Sequence, residues 1–376
     1  MLTTLQIGMT ASRRHISGTD RYYLSLLRAL PTLGVGVRGV VLGDPAGLDD
    51  PVPGVESFAP EGASRWRRWS GLRRAVARGL AGADLVVSHG APHAFPALDA
   101  IARRPLVVHF HGPWALEGRA DGIGPAKVAI RRFQERSVYG RGRRFIVLSR
   151  AFGEILEREY GADPAAIRIV PGGVDLRRFG ASLTRREARE RLGWPVDRPT
   201  FVTVRRLVPT KGLENLVEAA AAVRREIPDA LIVIVGTGPL AAELQRRVDD
   251  LGLRETVRFA GHVAEDDLPV VYRAADLMVV PTVALEGFGL VVVEALACGT
   301  PALVTPIGGL PEVVAPLDPR LVLPGAGARE LAQGMCDAMS GRLPLPAEEA
   351  CLQYARRFDW PVIAEQVRTV YREAAA

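Results

Sequence analysis

The chain has 376 residues, 48% hydrophobic and 24% charged, which is enough for two ordinary cores and close to the globular mean. That balance excludes a disordered, collagenous or coiled-coil protein, and no run approaches the roughly 18 to 20 apolar residues of a membrane span. The net charge of +6 is uneven, with 26 basic and 16 acidic side chains in residues 1–180 against 22 and 26 in the remainder.

Short β-branched runs alternate with helical patterns, the signal of parallel sheets with crossover helices. In the first half, strands are expected at Leu5 to Met9, Gly36 to Leu42, Asp84 to Ser88, Leu106 to His111, Arg144 to Leu148 and Ile167 to Val170. A break at Leu176 to Pro199 precedes a second set. This set runs Phe201 to Val204, Leu231 to Val235, Thr256 to Ala260, Leu277 to Val280, Pro301 to Val304 and Arg320 to Leu323. The expected α/β architecture is two facing Rossmann-like, doubly wound parallel-sheet domains, residues 1–180 and 181–358, with a cleft between them. A terminal helix in 359–376 returns to the first domain. Open α/β sheets bind ligands outside the carboxyl ends of their strands, so the chemistry is sought just after strands.

In the first half, Ser17-Gly18-Thr19-Asp20 leads from a strand into a helix, and Gly18 allows backbone approach to a phosphate or sugar. Ser64 to Gly82 holds six arginines and no acid. Trp66, Trp69, Leu72, Val76 and Leu80 share one helical face there, as in an interfacial membrane helix or a helix packed on its own sheet. Val107-Val-His109-Phe-His111-Gly112 closes a strand, and alternation puts both histidines on one side. A histidine in that place can donate to a hydroxyl or phosphate, with His111 at the mouth and His109 deeper. No Asp-x-Asp occurs and neither histidine has carboxylates at ligand spacing, so no metal is expected. Three cysteines without a CxxC pair argue against disulfides and zinc alike.

In the second half, Arg205-Arg206-Leu-Val-Pro-Thr-Lys211-Gly212 follows a strand, and cations there can clamp a diphosphate. Lys211 is one of only two lysines among 48 basic residues. The strand Leu231 to Val235 then enters Gly236-Thr-Gly238-Pro-Leu-Ala, a dinucleotide-like turn. The next strand ends Phe259-Ala-Gly-His262-Val263 without the acid that a nicotinamide ribose requires, so a dehydrogenase is disfavoured. In Glu286-Gly287-Phe288-Gly289-Leu290-Val-Val-Val-Glu294, the glycines and the following helix start form an anion site in outline. Glu294 stands alone in an apolar helix, a costly place for a carboxylate unless donors such as ribose hydroxyls meet it.

These motifs resemble the retaining GT-B glycosyltransferases of family 4. The resemblance is carried by the Glu286 and Glu294 spacing, Arg206-Leu with Lys211-Gly, the 236–238 turn, and Gly308-Gly-Leu-Pro-Glu312. It implies that Glu286 and His111 contact the transferred sugar, with Glu286, His111, Arg206 and Lys211 as the catalytic set. The donor would lie against Gly18, Gly236, Gly238, His262, Val263, Gly287, Phe288, Gly289, Leu290 and Glu294. Arg205 replaces a common glycine of the family, and Ser17 replaces another.

The expected function is therefore transfer of a hexosyl or N-acetylhexosaminyl group from a nucleoside-diphosphate sugar, UDP before GDP, with retention and without a metal or other cofactor. The acceptor is a small molecule, natural product or lipid-linked sugar. Alternatives are a UDP-sugar epimerase of the same fold and a non-catalytic nucleotide-sugar-binding subunit. No nucleic-acid motif is present. Met1 to Thr10 lacks the pattern of a signal peptide, so a cytoplasmic location is expected, with residues 64–82 as a contact to the inner membrane face.

Overall fold

The computed structural model describes residues 1–376 except 12–17, 49 and 181, together with the side chain of Met9; Ser17 thus lies outside the described residues. The chain forms two compact units, Met1–Gly173 with Trp360–Ala376, and Val174–Asp359. The segments Leu85–Ser88, Leu106–Phe110, Leu231–Val235 and Leu277–Val280 are buried along their whole length. Strands buried on both faces need helices on both faces, and crossover connections between parallel strands supply them.

Among the described residues the first unit has seven parallel strands: β1 (Thr3–Ala11), β2 (Gly36–Gly43), β3 (Val55–Ala59), β4 (Leu85–Ser88), β5 (Leu106–Phe110), β6 (Arg144–Val147) and β7 (Ile167–Ile169). Their order is β3-β2-β1-β4-β5-β6-β7. The second unit has five: β8 (Thr200–Val204), β9 (Leu231–Val235), β10 (Val257–Gly261), β11 (Leu277–Val280) and β12 (Ala302–Val304), in the order β10-β9-β8-β11-β12. The winding reverses between β1 and β4 and again between β8 and β11. At such a switch point the loops diverge and leave a crevice at the carboxyl edge.

Two expectations from sequence are corrected. Strand β3 was not anticipated, because it lies at the sheet edge with Glu56 and Ser57 exposed and so lacks an apolar run. Arg320 to Leu323 is not a strand of the sheet. Pro319 begins a 3-10 turn there, capped by the Asp318 carboxylate, and a single bridge from Val304 to Val322 remains. The helix Trp360–Ala375 packs in the first unit, burying Ile363, Ala364, Val367, Val370 and Tyr371. The helix Arg65–Gly79 buries Leu72, Ala75 and Val76 in that unit's core and leaves Trp66 81% exposed. Its apolar face is therefore shared between the core and the surface.

Glu135 on the helix Pro125–Tyr139 is fully buried. Its Oε2 accepts from the Ala115 amide at 3.2 Å and the Tyr160 hydroxyl at 2.8 Å, while Oε1 has no partner among the described residues. Burial pushes the carboxyl up to about 7 against these donors. The native state therefore binds a proton that the unfolded chain has released, and stability falls as pH rises from roughly 4.5 to 7. Glu135→Gln keeps the acceptor oxygen without the charge. It is expected to stabilise the protein by about 1–3 kcal/mol at pH 8 and hardly at all near pH 4, as read by urea titration; an equal effect at both pH values would contradict this.

Candidate active site

Strand β8 leads into Arg205–Lys211 and strand β11 into Thr282–Gly289, so both loops leave the second sheet at its switch point. The β9 loop locks the first of them. Leu207 N donates to Thr237 O at 2.9 Å, and Leu240 N donates to Leu207 O at 3.1 Å. A Cβ at Gly236 or Gly238 would run into the carbonyl oxygens of Arg205 and Leu207. These glycines thus let two backbone segments touch, which accounts for the dinucleotide-like pattern without a ligand. The Glu286 loop is anchored in the same way. Gly309 N donates to Glu286 O at 2.9 Å, and Gly308 has no room for a side chain above that carbonyl. Leu285, just before Glu286, has φ 51°, the one non-glycine left-handed residue among those described. Such a conformation costs about 1–3 kcal/mol and persists only where its surroundings impose it.

The Glu286 side chain is 13% exposed, and its Oε2 meets both Arg205 and Lys211, the latter at 3.1 Å. Burial alone would raise its carboxyl, but the two cations overcome that and hold it at about 2. Burial lowers the Lys211 ammonium, partly opposed by Glu286. The Arg205 guanidinium also donates to the buried Thr282 hydroxyl, and its Nε is buried without a partner among the described residues. Arg206 is exposed. Of the arginine pair, the structure brings Arg205 to Glu286, a partner that sequence did not assign, while Arg206 was expected to act with Lys211 on the departing diphosphate. The two alternate across the extended chain, and the first turns inward.

Gly287 and Leu290 flank the buried Gly289 at the start of the helix Leu290–Ala297, whose first amides have no side-chain cap. Phe288 is core: its ring packs edge-on against Phe358 at 5.7 Å, so only its backbone is available to a ligand. Glu294 is 5% exposed and accepts from the Tyr272 hydroxyl at 2.7 Å. His262 is exposed and Val263 half-buried just beyond β10.

In the first unit, Gly18 opens the helix Gly18–Ala29, directly after the undescribed segment. His111 follows β5 and joins a buried cluster with His109 and with His89, which follows β4. His89 Nδ1 lies 3.2 Å from His111 Nε2, and His89 Nε2 lies 3.0 Å from Gln6 Oε1. His109 is held by Tyr22 at Nδ1 (3.2 Å) and Tyr371 at Nε2 (2.8 Å). Burial drives His89 and His109 well below the usual imidazole range and His111 down to about 4. Three histidines invite a metal reading, but their rings stack. His89 lies 4.2 Å from His109 and 5.5 Å from His111, with interplanar angles of 18° and 20°. Lone pairs in near-parallel planes do not converge on one ion, and His89 and His109 already spend both nitrogens on the protein.

Both halves of the chain resemble known proteins. Residues 184–358 match the family described as glycosyl transferases group 1, and residues 16–178 match glycosyltransferase family 4. The chain belongs to the family 4 glycosyltransferases. A D-inositol 3-phosphate glycosyltransferase of Salinispora tropica is 37% identical over 242 residues, 60% of this chain and 49% of that protein. Another, from Streptomyces bingchenggensis, is 32% identical over 284 residues, 72% of this chain and 62% of that protein. The chain thus spans about half the length of the first of these curated relatives and under two thirds of the second. HepE of Anabaena, solved with UDP and glucose, matches with a TM-score of 0.80 at 22% identity over 99% of this chain and 100% of that one. Sucrose-phosphate synthase of Thermosynechococcus elongatus gives 0.81 at 24% identity over 99% of both chains. At these identities the two structures speak for the GT-B fold.

In this family 4 member, sequence reasoning passed over Gln6, His89, Tyr22, Tyr272, Thr282 and Tyr371. His89 ends a strand at the switch point, a signal that would have found it. Tyr371 has no local signal, since 365 residues separate it from Gln6.

Arg205→Ala would leave Lys211 as the one cation on Glu286 among the described residues. It is expected to cost about 1–3 kcal/mol of stability at pH 7. Because the folded pKa of Glu286 lies below its unfolded value, that cost is full above roughly pH 4.5 and fades as pH falls through 2. Urea titrations across pH measure it, and wild-type stability at pH 7 would remove Arg205 from the clamp.

Proposed function

We propose that this protein is a retaining glycosyltransferase moving a hexosyl or N-acetylhexosaminyl group from a nucleoside-diphosphate sugar, UDP in preference to GDP, to an acceptor hydroxyl. The observation that carries the reading is the buried Arg205, Glu286 and Lys211 cluster beside an uncapped helix start. Two fixed cations and free amides suit a diphosphate, and they become most favourable as negative charge grows on the leaving group. Arg206, exposed beside them, adds a third cation. In this reading the charge needed for departure comes from the protein, and no metal is required. Glu294, oriented by Tyr272, holds the ribose, while Glu286 accepts from hydroxyls of the sugar. The preference for UDP is supported by HepE, which was solved with UDP and glucose.

A carboxylate held at about 2 is a weak base and a weak nucleophile at neutral pH. Glu286 therefore positions the sugar, and the departing phosphate accepts the acceptor's proton on the face from which it leaves. The same weakness disfavours an epimerase, which needs a group able to take a proton from the sugar. The acceptor is a small molecule, natural product or lipid-linked sugar with a free hydroxyl.

Thermal unfolding with UDP, GDP, ADP and NAD, each with EDTA and with magnesium, tests the donor site. At 100 times its dissociation constant a ligand adds about 2.7 kcal/mol. A shift with UDP that survives EDTA is expected. A shift only with magnesium would overturn metal independence, and silence from UDP and GDP would overturn the donor site.

A second element of the proposal is contact with an anionic lipid surface, as at the inner face of a membrane. No described helix is long and apolar enough to cross one. However, Trp66 (81% exposed), Ile130 (58%) and Phe133 (65%) stand out on two neighbouring helices, and ring contacts run Trp66 to Trp69 to Phe95 to Phe133. Arg65, Arg67, Lys127 and Arg136 are exposed on the same helices. Aromatic anchors set among cations match the interfacial zone of an anionic bilayer. Cosedimentation with phosphatidylglycerol vesicles is expected to exceed that with phosphatidylcholine vesicles and to drop several-fold in the Trp66→Ala, Phe133→Ala double variant. No binding to either vesicle would refute the contact.

A further inference from the structure

The histidine cluster of the first unit carries an inference about the polarity of His111. Its starting point is a backbone carbonyl. The Thr4 hydroxyl donates to Gly36 O at 3.1 Å, so it receives the Gln6 amide nitrogen, 3.0 Å away, as an acceptor. That contact orients the Gln6 amide, because a nitrogen facing Thr4 leaves Oε1 facing His89. An amide oxygen only accepts, so the His89 Nε2, at 3.0 Å, carries the proton.

The rest follows by elimination. His89 is neutral, with burial driving its pKa well down, so its Nδ1 bears a lone pair. The group facing that lone pair at 3.2 Å is His111 Nε2, which must therefore be the protonated nitrogen of its own ring. His111 is also neutral near pH 7, lowered first by burial and then by His93. Its remaining nitrogen, Nδ1, carries a lone pair, buried and without a partner among the described residues.

The neighbouring ring fits the same scheme. The Tyr371 hydroxyl lies 3.4 Å from both Nε2 and Oε1 of Gln6 and 2.8 Å from His109 Nε2, so it can donate to the amide oxygen while it accepts from the ring. The Tyr22 hydroxyl then donates to His109 Nδ1 at 3.2 Å. Among the described residues the ring nitrogen of this cluster left over is His111 Nδ1, an acceptor.

We propose that Gln6 and His89 are positioning residues that fix His111 as the Nε2–H tautomer, so that its Nδ1 accepts a hydrogen bond from a ligand hydroxyl and does not pair with a phosphate oxygen. The assignment of a substrate hydroxyl rests on the transferase reading above, whereas the tautomer does not. A lone pair and a phosphate oxygen are both acceptors and repel, so this edge of the first unit selects for sugar-like or alcohol-like groups. This reverses the role expected from sequence, in which His111 would donate.

Nitrogen-15 NMR of the histidine-labelled 376-residue chain at pH 7.5, without substrate, separates the two tautomers. Only six histidines are present, and His111→Gln and His89→Gln assign the signals. The expected result is a protonated Nε2 and an unprotonated Nδ1 on His111, unchanged by 50 mM inorganic phosphate. Gln6→Leu, which has no acceptor for His89, should convert His111 to a mixture of tautomers. Backbone amide spectra that match wild type confirm that each variant is folded. A protonated Nδ1 in the wild type, protonation of His111 by phosphate, or a Gln6→Leu spectrum identical to wild type would each overturn the proposal. Because the readout needs no turnover, it stands apart from any failure of the transferase reading.

Discussion

An ionised carboxylate inside the second unit sets the terms for the loops around it. Removing Glu286 from water penalises its charge, and no single exposed cation would offset that penalty. Arg205 and Lys211 must both be brought to one oxygen, which requires the β8 and β11 loops to be held in register. The backbone does this through contacts so close that side chains are excluded at Gly236, Gly238 and Gly308. Leu285 accepts a left-handed conformation as part of the same arrangement. What reads as a set of ligand motifs is therefore also a mechanical device. The glycines place the loops, the loops place the charges, and the charges keep Glu286 ionised.

The first unit handles buried polarity in the opposite way. Its histidines are kept neutral by burial and satisfied pairwise, from Gly36 O through Thr4, Gln6 and His89 to His111. In a chain of neutral groups, each donor fixes the next acceptor, so direction is passed along without any charge being moved. The second unit gathers buried charge at its switch point, and in the proposed reading that charge suits a diphosphate. The first, among its described residues, leaves one unpaired ring nitrogen in the cluster.

Arginine richness, misleading as a clue in sequence, has a structural use. Arg189 is 5% exposed and ties the helix Arg185–Leu192 to the strand that leads to Glu286, donating to Ala274 O at 2.8 Å and pairing with Asp276 at 2.7 Å. Arg273 similarly bridges Leu183 O and Glu348, both at 2.7 Å. A planar guanidinium meets backbone carbonyls and a carboxylate at once through five donors in a fixed fork, where a lysine ammonium has three on a flexible stem. Arginine count alone therefore does not distinguish a phosphate clamp from a strut.

The sequence by itself determined the two parallel sheets, because runs such as Leu231 to Val235 are apolar on both sides and can only be central strands. It also pointed to the loops that follow such runs, where Glu286, Lys211 and His111 stand. The edge strand Val55–Ala59 escaped because half-exposed strands lack that signature, and Arg320 to Leu323 misled because proline and an aspartate cap turned an apolar tetrapeptide into a 3-10 turn. Only tertiary structure decided between Arg205 and Arg206, which differ in nothing but the side of an extended chain on which they fall. It alone showed that Glu294 meets Tyr272, and that Gln6, His89 and Tyr371 surround the histidines. Those choices depend on contacts across tens to hundreds of residues, where hydrogen-bond direction and desolvation act and local pattern carries no information.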